Sequence, residues 1–271
     1  MPSITDVKCI LVIGSTAGIG RALALNILAL PTKPTVIVAG RRQQRLDEII
    51  KAENKDDRLR AVRFDVNADR ATLKKSVDEV VKQYPELDAV MFASGVQQEF
   101  DFTKPESVDL DKIAEELNTN YTSVVNMTTF FLPHFIQLSS SGRPSFIYAI
   151  TSSLSIVSGP WVPCYCASKA ALRSFCQSIH VALKDKNVHV VEILPPLVES
   201  ELHDHQGKRE ALSKTWMPLD DFTEKTMAGL RSGAAEIPIG QAETYHKQFE
   251  TGKLEAVAKQ YEQRKAAEKG N

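Results

Sequence analysis

CILVIGSTAGIGRALALNILAL, residues 9–30, is the stretch whose reading decides the fold. It opens with five unbroken apolar residues that end on a glycine, the pattern of a strand buried on both faces. From Gly18 onward its apolar side chains recur at helical spacing. Between the two parts, Gly14, Gly18 and Gly20 stand where a chain must leave a strand, turn sharply and enter a helix. A buried strand running straight into a helix is the first half of a βαβ unit, so the question is whether the pattern repeats.

It repeats along most of the chain. TVIVAG (35–40) precedes the charged helical stretch QQRLDEIIKAE (43–53), and LRAVRFDV (59–66) precedes ATLKKSVDEVVKQY (71–84). LDAVMFASG (87–95) leads to one long helix expected over about residues 110–138. SFIYAITSS (145–153), KAALRSFCQSIHVALK (169–184) and VHVVEILPP (188–196) complete the series. Six strands alternating with helices predict an α/β fold, a doubly wound parallel sheet with helices on both faces. No repeat or Pro/Gly/Ser-rich linker divides the chain, so one domain is expected over residues 1–240. Within it the polar run SELHDHQGKREALSKTW (200–216) suggests a substrate loop over about 196–217, beyond a strand's carboxyl end. Residues 241–271, with Tyr245, Phe249, Leu254, Val257 and Tyr261 among charges, read as an amphipathic helical extension for packing or subunit contact.

Bulk properties exclude several classes. The net charge is −1 and the only basic block is GRR at 40–42, so no nucleic-acid footprint is present. No segment reaches the roughly 18 apolar residues of a membrane span. MPSITDVK leaves no room for a signal peptide and AAEKGN matches no retention or peroxisomal signal, so a cytoplasmic location is expected. The sequons at Asn120 and Asn126 are then idle. Cys9, Cys164, Cys166 and Cys176 lie in apolar runs and make no disulfide framework. Cys164 and Cys166 bracket Tyr165; a metal pair there is a weak reading and an oxidisable thiol a slightly better one. No metal is expected.

Two further stretches carry chemistry. In GSTAGIG, Gly14, Ser15, Thr16, Gly18, Ile19 and Gly20 form a strand-to-helix loop whose backbone can approach a pyrophosphate at the helix N-terminus. In YCASK, Tyr165 and Lys169 are one helical turn apart, and an ammonium beside a phenol favours loss of its proton. Ser152 and Ser153 lie about a dozen residues upstream.

Glycine loop, serine and YxxxK pair together resemble the short-chain dehydrogenase/reductase family over about residues 9–202, in the family's order and at its distances. The resemblance implies a Rossmann-type fold. It also implies a carbonyl reductase-like oxidoreductase that transfers hydride between a nicotinamide cofactor and a ketone/alcohol pair. Asn120, in NTNYTSVV, would anchor a water of the proton relay. Ser152, thirteen residues before Tyr165, would orient the substrate oxygen. Tyr165 would be the general acid/base, and Lys169 would hold the nicotinamide ribose and lower the tyrosine's pKa. In FDV, Asp65 would face the adenine amino group and Val66 its ring. Ala93, Ser94 and Gly95 would border the cofactor, while Pro195, Val198 and Ser200 in ILPPLVES would bind near the carboxamide.

The second strand ends in Arg41 and Arg42 with no acid, which favours a 2′-phosphate and hence NADP(H). The bland alternative treats both arginines as solvated charge. Cellular NADP pools are kept reduced, so reduction is the expected direction.

Three departures stand out. Ile13 replaces the family's threonine, Ala93 and Ser94 replace Asn and Ala of NNAG, and Pro196 replaces a glycine. The first two remove side-chain braces of the cofactor loop. Trp161, His203, His205 and Trp216 are expected around a small-molecule substrate, bulky or aromatic; HDH reads better as a polar lid than as a metal pair. A homodimer or homotetramer is implied by the resemblance. Competing readings are imine or enone reduction or isomerisation on the same site, and a silent NADP(H)-binding regulator.

Overall fold

The structure, a computed structural model, describes residues 1–53 and 57–269. Strands and helices alternate from the start: β1 (Cys9–Ile13), α1 (Gly18–Leu28), β2 (Thr35–Gly40), α2 (Gln43–Ala52), β3 (Leu59–Arg63), α3 (Arg70–Gln83) and β4 (Ala89–Phe92). Then follow α4 (Leu110–Leu117), α5 (Ser123–Ser140), β5 (Ser145–Ile150), α6 (Pro163–Leu183), β6 (Val188–Leu194), α7 (Arg209–Leu212) and α8 (Leu219–Ser232). β7 (Glu236–Pro238), α9 (Gln241–Phe249) and α10 (Lys253–Lys269) end the chain.

The sheet order is β3-β2-β1-β4-β5-β6-β7, with every pairing parallel. The strand runs are apolar without alternation because both faces are covered. Along β1, Ile10 and Val12 join an apolar cluster with Leu23 and Ile27 of α1 and Phe222 and Leu230 of α8. Cys9, Leu11 and Ile13 point the other way, into a cluster with Leu73 and Val77 of α3, Phe131 and Phe135 of α5, and Leu172 of α6. Ile13 pairs with Ala39 on one side and Phe92 on the other, so β1, β2 and β4 end level. The chain order reverses between β1 and β4, and a crevice opens there at the strands' carboxyl ends.

Three features differ from the sequence reading. A seventh strand, β7, adds three residues beside β6, too short to carry a periodic signal. The single helix expected over 110–138 is interrupted by a π-helical turn at Asn118–Thr122, between α4 and α5. Such turns insert one extra residue and re-aim the side chains on it. The C-terminal extension is two helices rather than one, parted at Gly252, whose φ of +83° ends regular winding. Its residues 270–271 lie outside the described residues.

Candidate active site

The crevice holds a cavity of about 1090 Å³. At one end the chain leaves β1 through Gly14, whose φ is +90° and whose added Cβ would lie 2.4 Å from the Ser94 amide nitrogen. A Cβ on Gly20 would come within 2.4 Å of the Gly14 carbonyl oxygen, so α1 seats directly on the loop. Gly14, Thr16, Gly18, Ile19 and Gly20 line the cavity. Ser15 does not: it is fully buried, its hydroxyl donating to Val12 O and accepting from Ala39 N, both at 2.8 Å, and it ties β1 to β2. Ala93 N donates to Ile13 O at 2.8 Å, continuing the β1–β4 pairing beside the loop.

Arg41 and Arg42 reach the cavity from the end of β2. Arg41 is exposed and has no partner among the described residues. Arg42 is engaged: Nε and Nη2 donate to Thr16 Oγ1 at 3.0 and 2.6 Å, and Nη1 meets Glu201 Oε2 at 2.8 Å. Arg45 reaches the other Glu201 oxygen at 3.3 Å. Those two arginines hold the Glu201 carboxyl below the usual carboxylate range, against its partial burial. Glu201 lies 159 residues from Arg42, and no sequence signal marked it.

Val66 and its neighbour Phe64 line the cavity; Asp65 does not. Asp65 is exposed and accepts from Asn67 N at 3.0 Å, capping a turn. Ala93, Ser94 and Gly95 form the floor beside β4, and the Ser94 hydroxyl is buried there with no protein partner. Pro195, Pro196, Val198 and Ser200 line the opposite wall.

Tyr165, Lys169 and Ser152, each more than nine-tenths buried, meet on a third wall. Lys169 Nζ donates to Ile150 O at 2.8 Å and stands 5.7 Å from the centre of the Tyr165 ring. Burial pushes the lysine down to about 8, against the pull of Cys176 and Glu116. Burial also drives the Tyr165 phenol well above its ordinary value; the Ser152 hydroxyl works downward and the Glu116 charge upward.

Asn120 lies in the π-helical turn, fully buried and behind the lining. Its side chain accepts from Val96 N and donates to Val96 O, both at 2.9 Å, and donates to Ser168 Oγ at 3.0 Å. One turn earlier, Glu116 is also fully buried, with Oε2 accepting from Gln98 N at 2.6 Å and Oε1 unpartnered. Burial pushes this carboxyl up to about 7, against the Gln98 amide and Lys169.

A second buried cluster was invisible in the sequence. Arg173, one turn after Lys169, joins Glu192 of β6, Glu236 of β7 and Glu250 just beyond α9. Glu192 in turn accepts from Thr151 Oγ1 at 2.6 Å, beside Ser152.

On the substrate side, Trp161, His203 and His205 border the cavity, Trp161 with 58% of its surface exposed. Trp216 does not border it and stacks under the Arg209 guanidinium at 5.4 Å, which corrects its expected place. Gln241 and Tyr245 of α9 complete the wall, so the C-terminal extension takes part in the cavity. The four cysteines are free, Cys166 turned to the Gly159 backbone. Among the described residues no group of three or more His, Cys, Asp or Glu is placed to hold a metal, and no helix is long and apolar enough to cross a membrane.

The family profile described as short chain dehydrogenase matches residues 8–211. The uncharacterized oxidoreductase DltE of Bacillus subtilis is 31% identical over 229 residues, spanning 84% of this chain and 86% of its own. The NADP-dependent 3-hydroxy acid dehydrogenase of Schizosaccharomyces pombe is 27% identical, spanning 83% and 87%. Among solved structures, a short chain dehydrogenase/reductase of Burkholderia phymatum in complex with NAD superposes with a TM-score of 0.76 at 17% identity, covering 88% of this chain and 90% of its own. The Pseudomonas aeruginosa RhlG/NADP active-site complex gives the same TM-score at 19% identity, covering 88% and 98%. At those identities the structural likeness speaks for the fold.

Proposed function

The chain belongs to the short-chain dehydrogenase family, and from that premise we propose that it is an NADP(H)-dependent oxidoreductase interconverting a ketone or aldehyde with its alcohol. The observation that carries this reading is the meeting of Tyr165, Ser152 and Lys169, all buried, on one wall of a cavity whose far end is a glycine loop. A nicotinamide dinucleotide fits the residues present. Gly14 and Gly20 leave no room for a Cβ, so the loop packs closely against Ala93 and Ser94, and with Gly18 they line the cavity at the start of α1. The buried, unpartnered Ser94 hydroxyl on the floor has a hydrogen bond to offer. The end of β2 offers Arg41 and Arg42 and no carboxylate, which suits a 2′-phosphate.

The bound cofactor supplies the hydride for carbonyl reduction. Ser152 donates a hydrogen bond to the carbonyl oxygen as it takes on negative charge. Tyr165, protonated at neutral pH, then gives that oxygen its proton. Lys169, fixed by Ile150 O, keeps a positive charge beside the reacting oxygen over most of the neutral range. Asn120 holds the wall in place through Val96. Trp161, Tyr245, Leu154 and Val157 give the substrate end an apolar, partly aromatic character, favouring a bulky carbonyl compound.

The test is loss of reduced-cofactor absorbance with a panel of bulky ketones, aldehydes, quinones and imines, run with NADPH and NADH. Turnover with NADPH that is weak with NADH supports the reading. Turnover confined to imines or activated alkenes replaces the reaction class, and NADPH binding with no turnover on any member favours a cofactor sensor.

A further inference from the structure

α9 presents two faces with different neighbours. Ala242, His246 and, just beyond its end, Glu250 recur at four-residue spacing and form an anchoring face. Ala242 is fully buried, His246 Nε2 meets Glu236 Oε2 at 3.0 Å, and Glu250 Oε2 accepts from Arg173 Nη2 and Nε at 3.0 and 3.2 Å. Arg173 also pairs with Glu236 at 2.9 Å and lies one turn after Lys169 on α6. The helix that carries Tyr165 and Lys169 therefore holds α9 in place as well. α9 also packs beside the Ser153–Ser155 turn, immediately after Ser152. The other face, Gln241 and Tyr245 one turn apart, borders the cavity. Gln241 Nε2 donates to the Tyr245 phenol oxygen at 2.7 Å. A phenol that accepts keeps its own O–H to give, and this one finds no protein acceptor among the described residues. Leu154, Val157, Trp161 and Leu212 supply apolar lining to the same cavity. A carboxylate substrate would meet no lysine or arginine set aside for it there. Arg41 and Arg42 stand at the end of β2, Lys169 is held by Ile150 O, and Glu99 borders the cavity with Lys208 drawn onto it at 2.5 Å. An anion taken from water without a partner is costly, whereas an uncharged oxygen needs only a donor.

We propose that Tyr245 is a specificity-determining residue: its phenol hydroxyl donates to an uncharged oxygen of the substrate other than the carbonyl being reduced, so that the preferred substrate is a neutral, largely apolar carbonyl compound with a second oxygen function. The inference rests on the reading of the cavity as a carbonyl-reducing site. Because α9 is fixed through Arg173 to the helix of Tyr165 and Lys169, the second oxygen is met at a set distance from the reacting carbonyl. The site thus selects on the position of that oxygen as well as on its polarity.

The experiment follows NADPH oxidation at about pH 8, above the ordinary histidine range, in wild type and Tyr245→Phe. The probes are 4-acetylbiphenyls carrying a methoxy, an ethyl or a carboxylate group at the 3′ or 4′ position. Methoxy and ethyl match in size and differ in one acceptor oxygen. In wild type, kcat/KM for the methoxy ketone is expected to exceed that for the ethyl ketone by about fivefold at one of the two positions, chiefly through KM. The carboxylate is expected to fall about tenfold or more below the methoxy ketone. Tyr245→Phe keeps the ring and removes the donor, so the methoxy-to-ethyl ratio is expected to drop to about one. A ratio taken within one variant cancels any general loss of activity or stability. A ratio that stays near fivefold in Tyr245→Phe, a wild-type ratio near one at both positions, or a carboxylate preferred over the methoxy ketone overturns the proposal. So does failure to reduce any of the series by an enzyme that reduces other ketones. Reduction of no ketone at all instead overturns the reading on which it rests.

Discussion

At one end of the cavity Arg42 and Glu201 meet at 2.8 Å with 49% and 37% of their side chains exposed; at the other, Tyr165, Lys169 and Glu116 are all more than nine-tenths buried. Both ends are built of opposed charges, yet the same chemistry has different consequences in the two settings. Around the arginines water and salt screen the interaction, and an exposed pair of this kind contributes about 0–1 kcal/mol. Around the tyrosine there is little to screen with, and each charge shifts its neighbours' protonation. On the proposed reading, the exposed end would adjust which cofactor binds and the buried end whether a proton moves.

The strongest way to break this contrast is at Tyr165. Tyr165→Phe removes one hydroxyl from the buried end, and kcat is expected to fall by about 10²–10⁴-fold while NADPH binding, followed by its fluorescence, stays near wild type. A modest loss of rate would mean that the buried wall is scaffolding. Arg173 tests the same end through stability. Arg173→Ala leaves Glu192, Glu236 and Glu250 facing one another with their shared cation gone. Breaking a buried pair in this way costs about 3–5 kcal/mol, a melting temperature lower by roughly ten degrees. Carboxyls left without the cation bind protons more tightly folded than unfolded, so the deficit is expected to shrink as pH falls from 8 toward 5. Glu192, already pushed up to about 7 by burial with Arg173 present, is the first to take a proton. A deficit that does not change with pH would place the loss in packing and not in charge.

The two ends were also unequally legible. Strand runs, the glycine loop and the Ser152–Tyr165–Lys169 spacing are local patterns, set within one turn or one strand-to-helix step, and the chain displays them directly. Charges that meet across the fold leave no such mark. Arg42 and Glu201 sit 159 residues apart, Arg173 and Glu250 77 apart, and each alone looks like ordinary surface charge. Glu116 was hidden for a further reason: α4 exposes two leucines and buries a glutamate, so its apolar pattern points to the wrong face. The π-helical turn at Asn118–Thr122 shifts the helical register there, which no regular period anticipates. Trp216 is expected at the substrate wall because its segment follows a strand's carboxyl end, but position along the chain does not say which way a loop side chain turns.

The smallest expected effect lies at the exposed end, and it sharpens the contrast most. Arg42 donates to Thr16 and pairs with Glu201 in the region where a 2′-phosphate would seek a guanidinium. Glu201 thus acts both as a competitor for Arg42 and as a like charge beside the phosphate. Glu201→Gln removes both effects without shortening the side chain. NADPH is expected to bind about threefold more tightly in low salt, with the gain fading as ionic strength rises, and NADH to bind no better than before. Equal gains for the two cofactors would mean that the substitution loosens the 196–217 loop and does not free an arginine. Weaker NADPH binding would mean that Glu201 holds Arg42 in its receiving position, so that the exposed pair is a positioning device like the buried one and the two ends differ in solvent but not in kind.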